Sequence, residues 1–206
     1  MLLTLFLVSG SSWASEGKCK DKTLVVLGDS LVAGYGLNPG EAFPEQLAEA
    51  LAGEGYSLEI VNAGVSGDTT SGGLSRLDWS VPDGTDGVIL ELGANDALRG
   101  ISPEVSASNL NSMIERLQAR NVKVLLAGML APPNMGEAYQ DSFNSIYAEL
   151  ADKHGVLLYP FFLDGVAGEP NLNQPDGIHP TAEGIGLIVE NFMATGLEFA
   201  RQLCGD

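Results

Sequence analysis

The chain has 206 residues, of which 45% are hydrophobic and 7% aromatic, a composition typical of a single soluble domain with a full core. Its 27 acidic and 10 basic residues give a net charge of −17. Nucleic acids and anionic membranes are bound through clustered Lys and Arg, and the sequence contains no such cluster, so both are disfavoured as partners.

The N-terminal segment differs in composition from the rest of the chain. Residues 1–8 form an uncharged apolar run, and the small residues Ser12 and Ala14 fit a signal-peptidase site. The run is shorter than the ~20 apolar residues that a membrane-spanning helix needs. The pattern predicts a signal peptide over 1–14, a single domain over 15–206, and a periplasmic or secreted protein. A buried first helix or strand is the alternative interpretation.

Short apolar runs then alternate with amphipathic segments. Runs rich in Val, Ile and Leu predict strands at 23–27, 58–61, 87–92, 122–127 and 156–159. Apolar residues at helical spacing predict helices around 43–51, 105–119, 143–150 and 181–203, the second of them capped by Ser102. This alternation is typical of βαβ units in one parallel sheet that is covered on both faces. In such sheets functional groups gather at the carboxyl ends of the strands.

The loop after the first predicted strand contains the candidate nucleophile, Ser30, within the sequence Gly-Asp-Ser-Leu at 28–31. A serine just past a buried strand can present its hydroxyl at the rim of the sheet, and Gly28 permits a tight turn. A serine hydroxyl is a weak nucleophile unless a base removes its proton. Taken alone, the tetrapeptide also fits an ordinary turn.

Of the two histidines, His179 is the candidate for that base. It lies in a loop just before the last predicted helix, where Asp176 could accept its Nδ1 hydrogen and fix the tautomer. An exposed histidine in a helix-entry turn is the alternative. His154 precedes Gly155 at the end of a predicted helix, where a cation suits the helix dipole, so we expect it to be structural.

The loops after the second and third predicted strands offer donors for an oxyanion. Residues 62–69 contain glycines whose N–H groups can point at a ligand, and Asn95 could aim its side-chain NH₂ at the same point. Each loop alone is more often structural, but strand-end loops that each supply a different part of a serine site favour catalysis. We expect Asp29, Asp68 and Asp96 to brace these loops through hydrogen bonds.

With these residues in place, the sequence resembles the SGNH (GDSL) hydrolase superfamily, and within it the acyl-CoA thioesterase I, lysophospholipase and arylesterase group. The blocks that carry the resemblance lie at 28–31, 64–70, 93–96 and 176–180. The resemblance implies that Ser30, Asp176 and His179 are catalytic. It also implies an oxyanion hole formed by the backbone N–H groups of Ser30 and Gly67 and the side chain of Asn95.

The resemblance implies a flavodoxin-like, three-layer α/β/α fold with a parallel sheet of about five strands in the order 2-1-3-4-5. In that fold Cys19 precedes the first strand, and the last helix returns Cys204 to the same edge of the sheet. A disulfide between them is therefore expected, which a secreted context permits. Two unpaired thiols near the termini are the alternative.

The function that the resemblance implies is a serine esterase acting on esters and thioesters of medium to long acyl chains, with no cofactor and no metal. Its expected partner is a small-molecule acyl ester or a lysophospholipid, with no stable membrane insertion, and the protein is expected to be a monomer. Residues 129–135 could line an apolar acyl cleft. The alternatives are a carbohydrate acetyl-esterase on the same scaffold, a non-catalytic lipid-binding protein, and phosphoryl or metal chemistry at Asp29.

Overall fold

The computed structural model describes residues 18–206, so the predicted signal peptide over 1–14 lies outside the described residues. One parallel sheet runs through the centre of the fold in the order β2-β1-β3-β4-β5, which confirms the predicted strand order. Its strands are β1 (Thr23–Gly28), β2 (Glu59–Gly64), β3 (Gly87–Glu91), β4 (Lys123–Ala127) and β5 (Leu157–Tyr159). In parallel sheets of this kind the carboxyl ends of all strands meet at one edge.

Helices cover both faces of the sheet and make the fold three-layered. They are α1 (Ser30–Ala33), α2 (Phe43–Gly53), α3 (Thr70–Ser80), α4 (Ala94–Leu98), α5 (Pro103–Ala119), α6 (Glu137–Asn144), α7 (Ile146–His154) and α8 (Ala182–Cys204), with a 3₁₀ turn at Pro133–Met135. Helix α2 packs against α8, while α5 packs against α3 and α7. Among residues 18–206, no helix combines the length and apolarity that a membrane crossing requires.

The central strands are buried because both of their faces are covered. Every residue of β3 is buried, and so is every residue of β1 after Thr23. Phe43 on α2 packs edge-on against Phe192 on α8, and Phe192 packs in turn against Tyr159 of β5, which joins this helix layer to the sheet. Each fully buried Phe or Leu contributes about 1.5–3 kcal/mol. This core fixes the positions of the strand ends that carry the site.

Some helices differ from the sequence prediction. Helix α3 has no counterpart in the predicted elements, because two glycines and few apolar residues give it no helical periodicity. The predicted helix over 143–150 is two helices, α6 and α7, which meet at Ser145. Ser102 precedes α5 as expected, but its hydroxyl bonds Glu104 rather than a backbone N–H of the helix. His154 ends α7, with Asn111 as its side-chain partner, as its structural interpretation requires.

A disulfide joins Cys19 and Cys204 at the amino edge of the sheet, with their Cα atoms 5.6 Å apart. The bond agrees with the pairing expected above. Beside it, Lys18 forms an ion pair of 2.5 Å with Asp206. Because the linked residues are 185 positions apart, the chain-entropy model predicts about 5 kcal/mol of stabilisation from the cross-link.

Candidate active site

Ser30, His179 and Asp176 form one chain of hydrogen bonds at the carboxyl edge of the sheet. Ser30 is the first residue of α1, two residues after the end of β1, and its Oγ lies 2.9 Å from His179 Nε2. His179 Nδ1 lies 2.7 Å from Asp176 Oδ2. A hydroxyl bonded to an imidazole whose other nitrogen faces a carboxylate is the arrangement of a serine–histidine–aspartate triad. The structure therefore brings together the three residues that the sequence analysis proposed as catalytic.

The loop before α8 is folded around the carboxylate of Asp176. Its Oδ1 accepts the backbone N–H groups of Ile178 at 2.9 Å and His179 at 3.0 Å. These two bonds and the His179 ring hold the pKa of Asp176 at about 2, with the His179 N–H making the largest contribution. Gln174 anchors the same loop, since its N–H donates to the His179 carbonyl at 2.7 Å. The imidazole thus faces a carboxylate that stays ionised at any physiological pH.

Asp29 braces the nucleophile loop, as expected, but it does so from a fully buried position. Its Oδ1 accepts the Leu31 N–H at 3.0 Å, and its Oδ2 accepts Asn95 Nδ2 at 2.9 Å. Burial disfavours the charged form and raises the pKa of Asp29 to about 6, in spite of those two bonds. Asp29 therefore links the loop of Ser30 to the loop of Asn95.

Glu91 lies directly behind this loop at the end of β3. The side chain is fully buried, and Oε2 accepts the Asp29 N–H at 3.3 Å. Within residues 18–206, its Oε1 has no hydrogen-bond partner. Burial, reinforced by the negative charge of Asp29, raises the pKa of Glu91 well above its ordinary value. Glu91 also explains Gly28, because a Cβ there would come within 2.6 Å of Oε2 and 2.3 Å of Val32. The glycine is needed for space rather than for an unusual φ.

Gly67 occupies a tight turn whose geometry orients its N–H. The Asp68 N–H donates to the Val65 carbonyl at 3.1 Å, and Gly67 has a φ of +79°. This combination defines a type II turn, in which the central peptide is flipped relative to a type I turn. The flip decides which way the Gly67 N–H points. Over residues 18–206, neither this N–H nor that of Ser30 is bonded to an acceptor, so both can donate to a ligand.

Arg76 ties three strand-end segments together. Its Nε donates to Asp68 Oδ2 at 2.6 Å, while Nη1 reaches the Ala63 carbonyl and Nη2 the Gly28 carbonyl, each at 2.8 Å. The side chain is only 15% exposed, so these bonds form away from water, where they are stronger. Arg76 thereby fixes the end of β1 relative to the turn that contains Gly67.

Asp96 also braces its loop, as expected. It is fully buried and accepts the Thr70 N–H at 2.8 Å, the Thr70 hydroxyl at 2.5 Å and the Ser106 hydroxyl at 3.0 Å. These bonds connect the start of α3 to α4 and α5. The loop that carries Asn95 is therefore held from both sides.

A cavity of about 690 Å³ opens beside Ser30 and His179. Its walls are mainly apolar and come from the loops after β3, β4 and β5 and from the loop before α8. They include Leu98, Met129, Leu130, Ala131, Phe161, Leu163 and Ile178. The segment 129–135, which the sequence analysis placed along a cleft, supplies much of one wall. Tyr35 covers the His179 ring from the side, with 4.5 Å between ring centroids.

The sequence analysis did not identify Arg76, Glu91, Tyr35 or Gln174. Arg76, Glu91 and Tyr35 act through contacts between segments that are distant along the chain, which no local spacing indicates. Gln174 acts through its backbone N–H, a group that every residue except proline carries, so its identity gives no signal either. Asn95 does lie at the site, but one hydrogen of its NH₂ group is already used by Asp29. Within residues 18–206, no three His, Cys, Asp or Glu side chains are grouped closely enough to hold a metal ion.

Comparison with known proteins identifies the class to which this fold and site belong. Residues 26–186 match the GDSL-like Lipase/Acylhydrolase family, and the chain is a member of it. It is therefore a hydrolase of carboxylic esters with the SGNH α/β fold, as the resemblance implied.

Individual members of the family show which of its proteins this chain is similar to. It is 41% identical over 175 residues to Esterase TesA of Pseudomonas aeruginosa, covering 84% of this chain and 87% of that one. It is 41% identical over 190 residues to the Arylesterase of Vibrio mimicus, covering 92% of each. With the Thioesterase 1/protease 1/lysophospholipase L1 of Escherichia coli it shares 37% over 177 residues, or 85% and 83% of the two chains. Among solved structures, AlinE4, an SGNH-hydrolase family esterase, is 45% identical with a TM-score of 0.74, covering 87% of this chain and 96% of that one.

Proposed function

We propose that the chain hydrolyses esters and thioesters of medium to long acyl chains through an acyl-serine intermediate. The observation that carries this proposal is the chain of hydrogen bonds from Ser30 through His179 to Asp176, at 2.9 and 2.7 Å, beside an apolar cavity of about 690 Å³. Relatives that are named arylesterase and thioesterase 1/protease 1/lysophospholipase L1 support both kinds of bond as substrates.

In the first step His179 Nε2 accepts the Ser30 proton while Oγ attacks the acyl carbonyl carbon. The new C–O bond converts the carbonyl oxygen into an oxyanion and leaves His179 as a cation. Asp176 stabilises that cation and holds the proton on Nδ1, so that Nε2 is free to act as the base.

The oxyanion is stabilised by the N–H groups of Ser30 and Gly67 and by Asn95. A side-chain NH₂ carries two hydrogens, and since Asp29 accepts one of those on Asn95, the other can face the oxyanion. Loss of one such donor typically costs ~10²–10³ in rate.

Collapse of the oxyanion breaks the bond to the alcohol or thiol, which leaves with the proton from His179. Water then attacks the acyl-serine, and His179 accepts its proton. A second collapse releases the carboxylic acid, and Ser30 regains its proton. Apart from the substrate and this water, the proposed steps use only side chains and backbone groups of the chain.

The size and lining of the cavity support medium to long acyl chains. An acetyl group would leave most of the 690 Å³ unfilled, whereas apolar walls containing Met and Leu suit chains of variable length. Leu98, Leu130 and Ile178 are exposed at the cavity mouth. The net charge of −17 disfavours the approach of anionic thioesters such as acyl-CoA. We therefore rank neutral esters and lysophospholipids above acyl-CoA as natural substrates.

The proposed location is the periplasm or the medium outside the cell. The apolar N-terminal run and the disulfide support it, because disulfides persist mainly in oxidising compartments. We propose that the protein works there as a monomer.

The test is hydrolysis of p-nitrophenyl esters from two to sixteen carbons, by the purified protein and by Ser30→Ala. Ser108→Ala is the control, since Ser108 is exposed on α5. We expect a maximum at six carbons or longer, full activity in Ser108→Ala and in excess chelator, and loss of turnover in Ser30→Ala.

Other outcomes would contradict the proposal. A maximum at acetate would favour a carbohydrate acetyl-esterase. Lipid binding without turnover would favour a non-catalytic binding protein. Turnover that survives in Ser30→Ala would refute the assignment of the nucleophile.

A substitution within the cavity tests the acyl cleft separately. Ala131 is buried in the cavity wall, so Ala131→Phe reduces the space available to an acyl chain. We expect about a tenfold loss of kcat/KM on the longest esters, with hydrolysis of acetate nearly unchanged. Equal losses at every chain length would show that acyl groups bind elsewhere.

A further inference from the structure

Arg99 touches both of the loops that supply oxyanion donors outside the nucleophile loop. Arg99 is the residue directly after α4 and lies four residues after Asn95. This spacing places two side chains on the same side of a helical turn. Its Nη2 donates to the Gly67 carbonyl at 2.8 Å and lies 3.4 Å from Asn95 Oδ1, a longer and weaker contact. One guanidinium group thus bridges the turn after β2 and the helix after β3.

Arg99 differs from the other arginines in having no carboxylate partner among residues 18–206. Each of the others is paired, as Arg76–Asp68, Arg116–Asp78, Arg120–Asp83 and Arg201–Glu198. Acidic residues are not scarce, since the chain has 27 of them. The acceptors of Arg99 are instead a backbone carbonyl and a side-chain amide, and both belong to proposed donors of the oxyanion hole.

The contact with Asn95 bears on which way its amide faces. Asp29 accepts from Nδ2 on one side, and Arg99 donates toward Oδ1 on the other. If the amide were rotated by half a turn, its oxygen would face the Asp29 carboxylate and its NH₂ group would face the guanidinium. Two donors or two acceptors in contact repel each other, so the two neighbours select the same orientation. That orientation leaves the second Nδ2 hydrogen available to the site.

The contact with Gly67 acts on the backbone. The type II turn that directs the Gly67 N–H depends on a φ of +79°, and the Gly67 carbonyl would otherwise be free to move with the exposed turn. A charge-assisted bond from a guanidinium to this carbonyl restrains the same residue whose N–H is needed. Oxyanion stabilisation depends on such donors being held in place before the reaction.

We propose that Arg99 is a positioning residue that holds the Gly67 turn and the Asn95 amide together, so that both donors converge on the oxyanion. The inference rests on the proposed function, because it concerns the transition state of that reaction. Arg99 acts through the two donors and does not itself contact the substrate. Its removal should therefore slow the chemical step without weakening the binding of a neutral ester.

The test compares Arg99→Ala, Arg99→Lys and Arg99→Gln on a neutral p-nitrophenyl ester. We expect kcat to fall about tenfold in Arg99→Ala, less than for loss of a donor itself, with KM changed by less than about twofold. Lys can restore a single charged donor, so kcat of Arg99→Lys should be higher than kcat of Arg99→Ala. Gln can restore only an uncharged donor, so kcat of Arg99→Gln should lie between the values of those two variants. Thermal melts of each variant establish that it is folded.

A double-mutant cycle with Asn95→Ala supplies the decisive comparison. Once Asn95 is gone, Arg99 has lost one of its two targets, so Arg99→Ala should then cost only about threefold. Unchanged kcat in a folded Arg99→Ala protein would overturn the inference, and so would losses that multiply fully in the double mutant. A loss confined to KM and to phosphate-bearing lysophospholipids would overturn it in favour of substrate binding. Ser30→Ala separates this inference from the proposed function. If Ser30→Ala is inactive while Arg99→Ala keeps the kcat of the wild type, the inference about Arg99 is refuted and the proposed function stands.

Discussion

Two loops each place an aspartate next to the candidate site, and their surroundings shift the two carboxyl pKa values in opposite directions. In the loop after β1, burial raises the pKa of Asp29 to about 6. In the loop before α8, backbone N–H groups hold the pKa of the more exposed Asp176 at about 2. The difference indicates that burial and the number of hydrogen-bond donors set the pKa of each carboxyl group, rather than its distance from the nucleophile. Asp176 is suited to stabilise a cation, and Asp29 is suited to hold neighbouring donors.

The largest effect that separates the two loops is expected from Asp176→Asn. An amide cannot hold the proton on His179 Nδ1 as a carboxylate does, so we expect kcat to fall by about 10³–10⁴. The measurement is steady-state hydrolysis of a p-nitrophenyl ester at neutral pH. Asp152→Asn, an exposed change on α7, is the control and should leave kcat unchanged. A loss of less than tenfold in Asp176→Asn would contradict the role given to this carboxylate.

A smaller effect is expected from Asp29→Asn in the same assay. An amide has only one oxygen, so it can keep the bond from Leu31 or the bond from Asn95 but not both. Because the loss concerns the placement of Asn95 rather than the base, we expect kcat to fall by about 10–10². If Asp29→Asn lost as much kcat as Asp176→Asn, the two aspartates would not differ in role as described, with Asp29 holding neighbouring donors and Asp176 stabilising the His179 cation.

The smallest effect is expected from Glu91→Gln, and it concerns how the stability of the fold depends on pH. In the folded protein burial raises the pKa of Glu91, so the unfolded chain releases this proton first and rising pH favours unfolding. That loss begins near the ordinary Glu pKa of about 4.3 and continues until the pH passes the raised pKa of the folded state. Melting curves at several pH values should show wild type losing stability relative to Glu91→Gln as pH increases. A difference in Tm that is the same at every pH would mean that Glu91 keeps an ordinary pKa.

The sequence was sufficient for the strands and for the residues of the hydrogen-bonded chain. Short runs of Val, Ile and Leu predict the buried strands. The strand order then brings the loops of Ser30 and Asn95 to the carboxyl edge of the sheet. Helix α3 was not predicted because its glycines and polar residues show no helical periodicity. In the structure it is stabilised by the Thr69 cap and by the bond from Thr70 to Asp96.

The supporting residues could not be predicted for a different reason. Arg76 binds carbonyl groups at Gly28 and Ala63, and such backbone acceptors leave no mark in a sequence. Glu91 is the single charged residue at the end of an otherwise apolar strand, a position where a carboxylate is normally exposed, so neither its burial nor its closeness to Asp29 was evident. Sequence motifs indicated which groups meet, and only the fold revealed what holds them in place.

The most direct test of the central claim is covalent labelling of the nucleophile. A p-nitrophenyl phosphonate ester should release one equivalent of p-nitrophenolate per chain, and peptide mass spectrometry should find the phosphonyl group on Ser30. Labelling should be slowed strongly in Asp176→Asn and absent in Ser30→Ala. A label on another serine, or an enzyme that keeps full esterase activity without any label at Ser30, would contradict the account.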